Sequence, residues 1–346
     1  MKPKEYGYAN ARIKAMESML LNESTMQKLR KAKNSEELIS ILYDTAYKQD
    51  LVAFGGLGIK DSLLDFAISR NLSKSLEKLV RITPDKHRSI MRSLLSKWDF
   101  ANIKLAIEAK ARGMPYGAVA NYIVDRGPFN AAIIKESLEK EDVRSLLGFL
   151  SAKAPAVYRL PITKAAQAYE TGMSAFAAID AIDMGAYELV GAAARALFAK
   201  DGKAARMARM TIDIQNAITL VRAKAAGASF GSLAKRLLKG GSIGADAFAD
   251  AYAKSNNVDE LAAALNRLGL GSIAEAYERT RSLTQLELGM RKHMLEKSKA
   301  SLAEVLSFSA LLAYAYVKEL EIINLRVLIK SKQYGLGEPE LSMLVV

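Results

Sequence analysis

The 346-residue chain has no cysteine, which excludes disulfide frameworks, thiolate metal sites and cysteine nucleophiles, and permits a reducing compartment. Histidine is almost missing as well: His87 stands in TPDKHRS and His293 in MRKHMLEK. Neither has HExxH spacing or a second histidine nearby, so each is expected as a surface or partly buried imidazole, and no metal is implied. Long apolar runs are absent. The longest, near Leu311 to Val317, falls far short of the roughly 20 residues that span a bilayer, and MKPKEYGYANARIK has no signal-peptide core. A cytoplasmic chain with no transmembrane segment is the expectation. No GxxxxGK[ST] phosphate cradle occurs, and FGGLGIKDS (54–62) lacks the Gly-Lys-Ser/Thr ending that would hold phosphate and magnesium. GLGSIA (269–274) matches GxGxxA, but DELAAALNRL before it reads as helix where a dinucleotide fold requires a strand. A helix-ending turn is expected there, and no cofactor.

What is present points to helices. Half the residues are apolar and 25% are charged, while aromatics reach only 7%. Abundant Ala, Leu, Ile, Lys and Glu favour helix over strand, so the expected class is all-α. The length allows two or three cores. A net charge of +13 suits an anionic partner without choosing among nucleic acid, a membrane surface and an acidic protein. Lys14, Arg12 and KLRKAK (28–33) are expected as solvated faces.

The strongest pattern is a repeat. DFANIKLAIEAKARG (99–113), DIQNAITLVRAKAAG (213–227) and EIINLRVLIKSKQYG (321–335) share one skeleton. Asp99, Asp213 and Glu321 coincide, as do Asn102, Asn216 and Asn324, then Lys110, Lys224 and Lys332, then Gly113, Gly227 and Gly335. Between them Phe100/Ile214/Ile322, Ile103/Ala217/Leu325 and Ile107/Val221/Ile329 recur at the spacing of one helical face. The acid is expected in the first helical turn and the lysine in the last, each complementing the macrodipole, with the glycine following in a left-handed conformation. The asparagines are expected to be structural, bonding a neighbouring helix or capping their own.

The likeness extends outward. Gly113-Met-Pro-Tyr116-Gly117 is echoed by Gly227-Ala-Ser-Phe230-Gly231, RGPF (126–129) by GGSI (240–243), and DVRSLL (142–147) by VDELAA (258–263). LLNES (20–24) and NSEELISIL (34–42) occupy the matching places near the N-terminus. The register implies three tandem helical units, 1–117, 118–231 and 232–346. A period this long is not that of an ordinary solenoid, so each unit is expected to be a small helical subdomain, and three could close into a pseudo-threefold body around a hollow.

YGYANARIKAMESMLL (6–21), LYDTAYKQDL (42–51) and AYAYVKELEIINLRVLIKSKQYGL (313–336) resemble the opening and closing segments of the C subunit of archaeal-type (A-type) rotary ATP synthases, a relative of the d subunit of vacuolar ATPases. The most specific part is KExExxNLR, carried by Lys318, Glu319, Glu321, Asn324, Leu325 and Arg326. Where many members of that family have a Gly/Pro-containing turn before the final tyrosine-rich helix, SLAEVLSFSALLAYAY (301–316) has no proline, which leaves that helix boundary open. The resemblance implies three like helical domains arranged as a funnel, a non-catalytic central-stalk component joining the stalk to the membrane rotor (proteolipid) ring. It also implies a peripheral position on the cytoplasmic side of the cell membrane, and no cofactor. The rival from another class is a basic helical scaffold that binds nucleic acid. Against it, the basic residues are dispersed over all copies with no dense stripe and no interleaved aromatics.

Overall fold

The computed structural model describes residues 3–53, 60–271, 277 and 281–335. Among them every regular element is helical and no strand occurs. The glycines at 55, 56 and 58, and residues 272–274 of GLGSIA, lie outside the described residues. Before that second run the chain is helix through Arg267, and Gly269 and Gly271 adopt φ of +87° and +90°, so a helix-ending turn stands where a dinucleotide fold would need a strand. No described helix is long and apolar enough to cross a membrane. The chain divides into two compact units, residues 46–81 with 85–190, and residues 1–45 and 82–84 with 191–346.

The first of these units contains α4 (Lys48–Val52), α5 (Lys60–Ile82), α6 (Asp85–Leu94), α7 (Ser96–Ala111), α8 (Tyr116–Val119), α9 (Ala131–Leu138), α10 (Val143–Lys153), α11 (Ala156–Gly172) and most of α12 (Ala175–Phe198). Helix α7 supplies the stripe Phe100, Ile103 and Ile107, which joins Phe129, Ile134, Leu146, Leu147, Leu150 and Ile162 in one core. The short helices start where a side chain can take an orphan amide: Asn130 accepts from Ile133 N, and Asp142 from Ser145 N at 2.7 Å. Helices α11 and α12 approach closely at Pro161, because a Cβ on Gly185 would overlap the proline ring. His87 is a correction to the sequence expectation: it is 3% exposed, because it shares the buried face of α6 with Ile90, Met91 and Leu94 at helical spacing.

The second unit contains α1 (Gly7–Glu17), α2 (Glu23–Lys31), α3 (Ser35–Tyr43), α13 (Gly202–Ala225), α14 (Phe230–Leu233), α15 (Ala245–Ala253), α16 (Val258–Arg267), α17 (Leu283–Leu302) and α18 (Phe308–Gln333). Helix α18 is buried around nearly its whole circumference, the pattern of a central core helix, and packs against α17, α1, α3 and α13. Its boundary with α17 needs no proline: Leu306 takes a left-handed φ of +59°, and the Ser307 hydroxyl accepts from Ala310 N. The N-terminal segment is fastened to this C-terminal pair. Asn10 and Ser307 exchange side-chain and backbone bonds, and Lys14 reaches Leu302 O at 2.9 Å. KLRKAK divides as its helix dictates, with Lys28, Lys31 and Lys33 exposed and Leu29 fully buried.

Candidate functional site

The signature helices α7 and α13 each grip the segment that follows, and α18 grips the N-terminal segment. Asn102 Nδ2 donates to Val124 O (2.8 Å) and Phe129 O (2.9 Å), and its Oδ1 accepts from Val124 N (3.1 Å). Asn216 repeats the exchange with Leu238, at 3.0 and 2.8 Å and the same separation of 22 residues. A primary amide presents a donor and an acceptor side by side, which matches one residue's N–H and C=O. Asn324, 6% exposed, lies at the corresponding place on α18.

The lysines follow the same logic. Lys110 Nζ donates to Lys140 O, Lys224 Nζ to Tyr252 O and Ser255 O, and Lys332 Nζ to Arg30 O. All three stand in the last turn of their helices, near the negative end of the dipole. Past them Gly113, Gly227 and Gly335 take φ of +64°, +69° and +67°. In two copies the closing bonds are those of a Schellman motif, Met114 N to Ala109 O and Gly113 N to Lys110 O, then Ala228 N to Ala223 O and Gly227 N to Lys224 O.

The acids depart from the sequence expectation. Asp99 lies in the first turn of α7, but Asp213 and Glu321 lie mid-helix, because α13 already starts at Gly202 behind the cap Asp201 and α18 at Phe308 behind Ser307. Dipole complementation therefore accounts for one copy. What the three share is burial and a bond to another segment, one further along the chain for Asp99 and Asp213 and the N-terminal one for Glu321. Asp213 accepts from Ser242 N (2.9 Å) and Ile243 N (3.1 Å), and Glu321 from Leu21 N (2.6 Å) and Lys318 Nζ. Asp99 accepts from the Tyr158 hydroxyl (2.7 Å) and, more distantly, from Arg126 Nη1 (3.4 Å). Gly127 and Gly241 sit so close that a Cβ on either would overlap the facing aspartate oxygen. Burial raises the Asp99 carboxyl above its ordinary range, opposed by Arg126 and the Tyr158 hydrogen bond. Burial also raises Asp213, opposed by the two backbone N–H groups and Arg209.

Beside each acid lies a hollow. The Asp99 cavity, about 720 Å³, is lined by α5, α6, the 126–128 turn and the start of α11. The Asp213 cavity, about 550 Å³, includes Lys203, Arg206, His293 and Lys297, and the Glu321 cavity, about 450 Å³, includes Arg30 and Lys299. His293 is half-buried; burial and Lys297 lower its pKa, while Glu296 raises it. Among the described residues no group of His, Asp and Glu is placed to hold a metal ion. The arrangement anchors turns. Sequence reasoning missed Tyr158 and gave no role to Arg126 and Lys318, although RGPF and KExExxNLR contain them.

A family model for ATP synthase (C/AC39) subunits matches residues 9–341. The chain belongs to this family. Its members are non-catalytic components of rotary complexes. The chain is 25% identical to the C subunit of the A-type ATP synthase of Thermococcus kodakarensis over 97% of its own length and 88% of that protein. It is 27% identical to the C subunit of the Thermococcus onnurineus A-type enzyme, with the same coverage. It is 26% identical to the C subunit of the V-type ATP synthase of Thermus thermophilus, over 99% and 98% of the two chains. A rotary ATPase component with no membrane-spanning helix among its described residues is consistent with a peripheral position.

Proposed function

We propose that this protein is the socket between the central stalk and the membrane rotor ring of an A-type or V-type ATP synthase, on the cytoplasmic face of the membrane. Three helical repeat units, 1–117, 118–231 and 232–346, build it. It serves ion-coupled ATP synthesis or hydrolysis by transmitting torque. The work needs a stiff body with complementary surfaces, and apolar area removed from water at a stalk contact contributes about 25 cal/mol for each Å² before association costs.

The observation that carries the reading is the repeated clamp. In two copies one asparagine holds the backbone of a residue 22 positions ahead, and in all three a lysine holds a carbonyl of another segment. The asparagines of two copies and the lysines of all three are thereby spent on rigidity. Such fastenings resist relative motion of helices under load, which is what a torque-bearing part requires.

The test is to pull down the intact chain from detergent-solubilised membranes. Stalk and rotor-ring proteins are expected to accompany it in fixed stoichiometry, and to stay bound when nuclease is added. Recovery with nucleic acid alone, lost as salt is raised, would replace this reading with the basic-scaffold alternative.

A further inference from the structure

We propose that the cavity beside Asp99 binds a small amphiphilic anion, a single carboxylate or phosphate head on an apolar body, with Arg126 anchoring the head. The cavity volume of about 720 Å³ falls in the range of small-molecule sites, which are mostly apolar with a few fixed polar groups. Val80, Pro128, Pro155, Val157 and Leu189 supply the apolar wall.

The anchor is a guanidinium with donors to spare. The Arg126 side chain is 5% exposed, yet its bonds all come from Nη1, to Leu95 O at 3.2 Å and Asp99 Oδ1 at 3.4 Å. Nε is buried without a partner, and no bond uses Nη2. Asp99 does not complete it, because its near oxygen is distant and its other oxygen is held by Tyr158 at 2.7 Å. A guanidinium presents its donors as a planar fork matched to carboxylate and phosphate oxygens, so an unfilled fork on a cavity wall is a specific vacancy in hydrogen bonding.

Charge over the lining favours an anion. Arg81 and Arg92 are exposed members of the same wall, against Glu77 and Asp99. Arg88 adds little, being engaged by Val80 O, Arg81 O and Asp85. The Asp213 copy is a built-in control: Gly240 stands where Arg126 does, and that cavity has no buried guanidinium among its lining residues.

Calorimetric titration of the full chain with decanoate, decyl phosphate and decanol, each below its micelle concentration, tests the site. One of the two anions is expected to saturate a single site and to bind about ten-fold or more tighter than decanol, and the tighter of the two identifies the head group. R126Q should erase that preference while leaving decanol unchanged, and D99N, which removes the competing carboxylate, should strengthen anion binding. If R126Q does not fold, the ratio of anion to decanol on the natural chain decides alone. Equal binding of anions and decanol, or an unaltered preference in folded R126Q, would overturn the proposal.

Discussion

Asp99 and Asp213 stand at one position of one repeated motif, and the turns they face, RGPF and GGSI, share only the glycine at their second position. In the second turn Ser242 and Ile243 present backbone N–H groups, and the carboxylate takes both. In the first turn Pro128 replaces the serine and has no N–H to give, while Arg126 replaces Gly240. Asp99 is held instead by Arg126 and Tyr158. A lost backbone donor has thus been replaced by a side-chain cation and a phenol. The geometry of the clamp survives while its electrostatics change from a dipolar cradle to a buried ion pair.

The comparison can be broken most strongly at the ion pair. R126M leaves a buried carboxylate without its cation and should cost about 3–5 kcal/mol in denaturant unfolding, and D99N/R126Q, which removes both charges, should recover most of it. Next come the asparagines. N102A removes three bonds and N216A two, so the losses should be about 3 and 2 kcal/mol, with faster amide exchange at Val124 and Leu238 respectively. Equal losses would show that the extra bond to Phe129 O contributes nothing.

Smaller still is the exchange of the turns. S242P deletes an amide that Asp213 uses and should cost roughly 1–3 kcal/mol, whereas P128S, which only adds a donor, should stay within about 0.5 kcal/mol. The smallest effect is in pH. The Asp213 carboxyl is raised above 3.8 in the folded chain, so the folded state holds that proton when the unfolded state has released it. Its stabilising contribution is complete below about pH 4 and is lost as pH rises through the folded value. D213N should therefore look worst against the natural chain near pH 4 and gain on it as pH rises. A constant gap would place the carboxyl at its ordinary value.

The ends of the signature helices were legible because their signals are local. A lysine in the final turn and a glycine needing positive φ act within one turn, so spacing alone located them. The acids were misplaced because a helix start depends on what lies upstream. α7 begins three residues before Asp99, whereas Asp201 and Ser307 start the other two helices far earlier, and no glycine or proline within the body of either helix interrupts it before the acid. The asparagine clamps were foreseen as structural, but their partners 22 residues ahead depend on the path of the intervening loop. The meeting of Arg126, Tyr158 and Asp99 joins residues 27 and 59 positions apart and left no periodic trace.

The central claim is that the three buried acids hold turns in place and take no part in a reaction. Its most direct test is the rate of ATP turnover, per assembled complex, with the chain carrying D99N, D213N and E321Q, each alone and together. Turnover within about two-fold of the natural complex is expected once assembly is matched. A folded, fully assembled complex that loses about ten-fold or more in turnover on replacement of any one acid would contradict it.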